Sequence, residues 1–181
     1  EVGNLNTGRP ALYAVGTSTA SLAFGGSAAT ESWNGASWTS KNSLNTSRSD
    51  LSGAGTTTAA LAYGGESGLT NTENFNGTSW TEVNDLSGGI FGGWGSGIST
   101  SALLYGGKTP APAFTTKAEI FDGTSWAETG SMATAITQSG GSVGGTGTTA
   151  LQAGGDNADG YKDTTQEFST ENFVTKTFDT D

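Results

Sequence analysis

A pair of adjacent glycines recurs four times along the chain, and this recurrence limits the fold more than any other feature of the sequence. The pairs begin at Gly25, Gly64, Gly106 and Gly154, so that successive pairs are 39, 42 and 48 residues apart. The residue directly before each pair is Phe24, Tyr63 or Tyr105 in the first three copies and Ala153 in the fourth. Repetition at such a period is typical of folds that stack one supersecondary unit many times.

The match between the copies continues downstream of each glycine pair. The four stretches read TESWNGASW, TENFNGTSW, AEIFDGTSW and TQEFSTENF. They contain an acidic column, formed by Glu31, Glu73 and Glu119 with Gln166 in the fourth copy, and an aromatic column, formed by Trp38, Trp80, Trp126 and Phe173. Turn residues such as Asn76-Gly77 separate short runs of strand-forming residues, as in β-hairpins. Each copy is therefore predicted to form four short strands, with essentially no helix.

Four-stranded units repeated at this period predict an all-β, four-bladed β-propeller with four antiparallel strands per blade. The blades would span about 3–40, 41–83, 84–129 and 130–178 of a single domain, 1–181. Leu, Ile, Val and Phe number only 28 of 181 residues, a composition more typical of disorder. Aromatic columns packed between neighbouring blades would compensate for it, and the glycine pairs would let the backbone bend or approach a neighbour. Trp94, found in one copy only, is predicted to fill the axis.

At these columns the chain resembles the kelch repeat, over about residues 3–178. Arg9 and Arg48 stand sixteen residues before their glycine pairs, where kelch repeats often have Arg, while Ile90 and Gln138 take that place in the other copies. The stretches NLNTGR, SLNTSR and NFNGTSWTEVNDL are similar to kelch-like repeats in predicted proteins of marine bacteriophages and uncultured bacteria. The resemblance implies a virion or extracellular surface role. Kelch propellers usually have more than four blades, so a closed ring and an open half-ring that pairs with another chain both remain open.

Composition excludes several function classes. The chain has no Cys and no His, which removes thiolate chemistry, His-ligated metals and most acid–base machinery. We therefore expect no enzyme activity, no cofactor and no metal. The net charge of −10 and the seven scattered Lys and Arg residues disfavour nucleic acid and anionic membranes as partners. No apolar run is long enough for insertion into a membrane.

The segments between the glycine pair and the acidic column lengthen along the chain, from SAAT to ESGLTNT, KTPAPAFTTKA and DNADGYKDTT. Variable loops on a rigid scaffold commonly carry binding. The candidate ligand-binding residues are Lys108, Phe114, Lys117, Asp156, Asp159, Tyr161 and Lys162. The rings of Phe114 and Tyr161 could stack on a sugar or fold over their own loops. The stretch DNADGYKD departs from calcium-loop spacing, which favours a solvated turn.

The repeated columns are interpreted as structural. Because Trp38, Trp80 and Trp126 recur at one position, packing between blades explains them better than a carbohydrate platform. A catalytic carboxylate pair needs two different environments, so equivalent residues such as Glu31, Glu73 and Glu119 more simply bond neighbouring backbone N–H groups.

Three functions follow from these observations. The first is a non-enzymatic structural or adhesion propeller of a virion fibre, a capsid decoration or an extracellular surface assembly. It would bind a glycan or a protein partner and contact other subunits of the assembly, including copies of itself. The second is a self-polymerising subunit of an extracellular filament. The third, more remote, is an enzyme that acts on glycosides through a carboxylate pair.

Overall fold

The computed structural model describes residues 2–111, 113–141 and 147–169, together with the backbone of 172–174. Its regular secondary structure is almost entirely β-strand, and the described helical content is one 3-10 turn at Glu66–Gly68. The predicted all-β class is therefore confirmed. The described residues contain four separate antiparallel sheets, and no closed ring is found among them.

Each sheet consists of four strands that follow one another both in sequence and in space. Sheet 1 contains β1 (Leu12–Thr17), β2 (Ala20–Gly25), β3 (Thr30–Trp33) and β4 (Trp38–Lys41). Sheet 2 contains β5 (Ser52–Gly55), β6 (Ala60–Tyr63), β7 (Thr72–Phe75) and β8 (Trp80–Val83). Sheet 3 contains β9 (Trp94–Ile98), β10 (Ser101–Tyr105), β11 (Ala118–Phe121) and β12 (Trp126–Glu128). Sheet 4 contains β13 (Gly140–Gly141), β14 (Thr149–Asn157), β15 (Gly160–Ser169) and β16 (Asn172–Val174).

The glycine pairs stand at the end of the second strand in sheets 1 to 3, whereas in sheet 4 the pair lies at a bulge within β14. The backbone at all four pairs needs glycine. All eight glycines of the four pairs have positive φ, between 62° and 129°. Space is also short: a Cβ on Gly106 would lie 2.5 Å from the carbonyl oxygen of Ile136, at the entry to the next sheet. Side chains tolerate neither condition well. Both predicted reasons for the pairs, a bend and a close approach, are therefore found.

Aromatic side chains fill the junctions between consecutive sheets. Trp80 of sheet 2 packs edge-on against Phe24 of sheet 1, with ring centroids 5.1 Å apart. Trp126 of sheet 3 packs in the same way against Tyr63 of sheet 2, at 4.7 Å. Between sheets 3 and 4, the buried cluster includes Tyr105. These rings bury much apolar area per residue, which explains how so polar a chain forms a core.

Of the four residues in the aromatic column, Trp38 differs from this pattern, and Phe173 cannot be compared with it. Trp38 is only half-buried and packs against Trp33 of its own sheet, at 5.5 Å, because none of the described sheets lies before sheet 1. The prediction that it packs between two sheets is therefore wrong for the single chain. Phe173 lies in β16, but its side chain is outside the described residues.

The segments that lead into the four sheets are joined by backbone hydrogen bonds. Asp50 N–H donates to the Ala11 carbonyl at 3.1 Å, Gly92 N–H to Asp50 at 2.8 Å, and Gln138 N–H to Gly92 at 3.2 Å. All four residues have positive φ, between 50° and 62°. They line a shared cavity of about 140 Å³. Trp94 also lines it, 5.7 Å from the Tyr13 ring. That Trp94 fills the axis of a ring stays a prediction, because no closed ring is found among the described residues.

The position equivalent to Arg9 and Arg48 in the fourth copy differs from the predicted one. A count of sixteen residues back from Gly154 predicts Gln138 at this position. The structure places Ile136 there instead, because its carbonyl accepts the N–H of Gly107 just as that of Ile90 accepts the N–H of Gly65. The fourth copy has two extra residues between this position and its glycine pair, so a fixed count ends two residues late.

Candidate functional site

The third variable segment holds Lys108 and Phe114 against each other. Lys108 exchanges backbone hydrogen bonds with Phe91, at 2.9 and 3.0 Å, which fix the start of the segment. Its Nζ lies 4.5 Å from the centroid of the Phe114 ring, a cation–π contact. Phe114 is half-buried beneath this ammonium group. Its ring is therefore folded over its own loop, the alternative to a ligand-stacking role.

Lys117 has a structural partner. Its Nζ lies 3.2 Å from a carboxylate oxygen of Glu119, which is fully buried, and 2.9 Å from Glu128. Burial lowers the pKa of Lys117, but the hydrogen bonds and charges of Glu128 and Glu119 more than offset this, so the pKa lies above its ordinary value. Lys117 thus serves as the counter-ion of the acidic column in sheet 3, where the arginine is absent. The sequence predicts Lys117 as a ligand-binding candidate and does not indicate this ion pair.

The other sheets supply different counter-ions to the acidic column. Arg9 reaches Glu31 at 2.5 Å, and Arg48 reaches Glu73 at 2.5 Å with both side chains fully buried. In sheet 4 the arginine position is Ile136 and the acid is the neutral Gln166. Charge is therefore matched in every sheet, as the high cost of a lone buried ion requires.

The acidic column also holds the segment that enters each sheet. The backbone bonds run from Asn6 to Glu31 at 2.7 Å, from Asn45 to Glu73 at 2.7 Å, from Ser87 to Glu119 at 2.9 Å, and from Ala133 to Gln166 at 2.9 Å. Burial raises the pKa of Glu31, but the hydrogen bonds from Arg9 and Asn6 bring it below its ordinary value. These side chains do bond backbone N–H groups, the role expected from the sequence.

Asp50 is a half-buried carboxyl group in the segment that leads into sheet 2. Burial, followed by the charge of Glu66, raises the pKa of Asp50, while the charge of Lys108 lowers it.

The fourth variable segment forms a hairpin, so the prediction of a loop at 156–165 is wrong. β14 and β15 remain paired out to Asn157 and Gly160, past a bulge between Ala153 and Gly155. Asp156 is half-buried and exchanges backbone hydrogen bonds with Thr137, both at 2.9 Å. The Asp-Gly sequence closes a tight turn instead of starting a loop, because Gly160 adopts a positive φ of 96°.

The end of this hairpin presents Tyr161 to solvent. Its side chain is 94% exposed, although its backbone is paired opposite Asp156 in the ladder. Asp159 lies in the turn, and its carboxylate is 4.0 Å from the Nζ of Lys162. The structure thus brings Asp159, Tyr161 and Lys162 together on one hairpin. Lys108 and Phe114 belong to a different segment, between β10 and β11 of sheet 3.

The described residues include no helix that is long and apolar enough to cross a membrane. Comparison of the chain with protein-family models and with curated proteins finds no match.

Proposed function

We propose that this chain is a non-enzymatic adhesion module, built as a four-bladed, kelch-like β-propeller unit that presents a binding hairpin. The observation that carries the proposal is Tyr161, an almost fully exposed aromatic ring on a hairpin whose backbone is paired. A backbone that a ladder already orders loses little conformational entropy when the side chain binds, and the face of the ring can stack on a sugar. Asp159 and Lys162 beside it supply hydrogen-bonding groups for sugar hydroxyls.

The buried ionisable groups support a structural role more than a catalytic one. Glu31, Glu73 and Glu119 each accept a backbone hydrogen bond, and each is neutralised by a basic side chain. The resemblance to kelch-like repeats supports a position on a virion, as a fibre or capsid decoration, or on an extracellular surface assembly. Its partners would be a glycan and the other subunits of that assembly.

A glycan array tests the proposal. We expect the wild-type chain to be retained on a subset of glycans, Tyr161→Ala to lose that retention, and Tyr161→Phe to keep most of it, because stacking needs the ring and not the hydroxyl. The unfolding midpoint should not change, since so exposed a side chain contributes little to stability.

Phe114→Ala is the matched control, because that ring already contacts Lys108 within its own loop. Retention of this variant should equal that of the wild type. Equal retention of Tyr161→Ala and wild type would contradict the assignment of Tyr161, and a wild-type chain that is retained on no glycan would contradict glycan adhesion. Release of free sugar from the array would favour the enzymatic alternative.

A further inference from the structure

Each junction between consecutive sheets places one aromatic ring on one glycine. The Phe24 ring of sheet 1 lies over Gly53 of sheet 2, where an added Cβ would be 2.6 Å from the ring. The hydroxyl groups of Tyr63 and Tyr105 occupy the same place over Gly95 and Gly141 of the following sheets. The position directly before each glycine pair is called the ring column, and the facing position in the first strand of the next sheet is called the glycine column. An aromatic ring in the ring column therefore requires a glycine in the glycine column of the next sheet.

A second contact joins the same sheets through a tryptophan. The Nε1 of Trp80 donates to the Thr30 hydroxyl at 3.0 Å, and that of Trp126 to the Thr72 hydroxyl at 2.9 Å. At the third junction, the strand register puts Phe173 at the position of Trp80 and Trp126. It puts Ala118 at the position of Thr30 and Thr72. The donor and the acceptor are replaced together, as the cost of an unpaired buried polar group requires.

Sheets 1 and 4 each have one set of these positions that faces no other described sheet. The residues at these positions follow the same two pairings, ring with glycine and indole N–H with threonine hydroxyl. Ala153 of sheet 4 occupies the ring column, and Ala14 of sheet 1 occupies the glycine column, so a methyl group is allowed where no ring arrives. Trp38 of sheet 1 keeps its indole N–H, and Thr165 of sheet 4 keeps its hydroxyl. Sheet 4 is therefore complementary to sheet 1 in the same way that each sheet is complementary to its successor.

Among the residues that the structure describes, these complementary faces are exposed. Ala14 and Ala153 are exposed, and Trp38 is half-buried, whereas Trp80 is 5% exposed. Leu151 of sheet 4 is 46% exposed, although its equivalents Leu22, Leu61 and Leu103 are fully buried against the following sheet. Exposed apolar faces of this kind mark interaction surfaces.

We propose that sheet 4 of one chain packs on sheet 1 of a second copy, through Ala153 on Ala14 and Trp38 on Thr165. The interface is a continuation of the three junctions already present within the chain. It joins two different surfaces, so it generates either a closed ring of copies or an extended filament. The inference goes beyond glycan adhesion and does not depend on it, because assembly and glycan retention are measured separately.

Cysteine cross-linking tests the interface, because the chain has no cysteine of its own. We expect Ala14→Cys and Ala153→Cys, mixed in equal amounts with a short bismaleimide, to form a cross-linked dimer, while neither variant alone does so. Introducing Trp38→Ala into the Ala14→Cys variant should reduce the dimer severalfold. The matched control replaces Ala153→Cys with Ala158→Cys, an exposed position at the hairpin turn, and should give no dimer.

Three results would overturn the proposal. One is the absence of a dimer in the mixture at every concentration up to the millimolar range. Another is an equal yield with Ala158→Cys, which would indicate non-specific contact. The third is a double variant, Ala14→Cys with Ala153→Cys, that cross-links only within one chain, because the chain would then close its own seam.

Discussion

Glu73→Gln is expected to destabilise the folded chain by about 3–5 kcal/mol, because it leaves the Arg48 guanidinium buried without a counter-charge. Both side chains are fully buried, and the pair is joined at 2.5 Å. Burial lowers the pKa of Arg48, and the charge of Glu73 acts against this, so that removal of the acid takes away the main compensation. Urea unfolding, followed by tryptophan fluorescence, measures the change.

The fourth sheet provides a matched rescue for this variant. There Ile136 replaces the arginine, Gln166 replaces the acid, and Gln152 lies directly opposite Gln166 and bonds it at 3.0 Å. Transferring this set to sheet 2 gives the triple variant Arg48→Ile/Ala62→Gln/Glu73→Gln, in which no charge is buried. It should recover at least about half of the lost stability, since directly contacting residues are not additive. A triple variant less stable than Glu73→Gln would contradict this account of the column.

Trp80→Ala is expected to cost about 3–5 kcal/mol, as large-to-small changes of a buried aromatic residue do. The indole is 5% exposed and contacts Phe24 and Phe75, with centroid separations of 5.1 and 5.0 Å. Its removal also leaves the Thr30 hydroxyl without its donor. At about 2–4 °C per kcal/mol for a chain of this size, the unfolding midpoint should fall by roughly 10 °C.

Trp38→Ala is the control within the same column. Because Trp38 is half-buried, the substitution should cost below about 2 kcal/mol in dilute solution, where copies of the chain are separate. Differential scanning calorimetry compares the two variants at one concentration. Equal losses for Trp80→Ala and Trp38→Ala would mean that the junction between sheets 1 and 2 is not what buries the indole.

Much of the fold was predictable because each repeated column repeats one local requirement. The glycine pairs require positive φ, and the acidic residues require backbone N–H donors. Because both requirements recur in every copy, alignment of the four copies is enough to predict them. The same columns predict four strands in each copy, and each of the four sheets has four. Junction contacts such as Trp80 with Phe24 followed from the aromatic columns.

The failures have equally local causes. Counting residues cannot detect the two-residue insertion that puts Ile136 where Gln138 was expected. A loop and a long hairpin share the same polar composition, so the pairing of Asn157 with Gly160 was hidden. Lys117 looked like a free loop cation because its partner Glu128 lies on another strand. The exposure of Trp38 depends on which sheet precedes sheet 1, and a repeat pattern does not contain that information.

The central claim is that aromatic rings buried between consecutive sheets hold this glycine-rich, polar chain together. Hydroxyl-radical footprinting with mass spectrometry, performed on dilute native protein, tests it most directly, because it reports the solvent access of each tryptophan separately. Trp80 and Trp126 should be strongly protected until the chain unfolds, while Trp38 should be oxidised in the native state. Oxidation of Trp80 and Trp126 at the rate of Trp38 in folded protein would contradict the account.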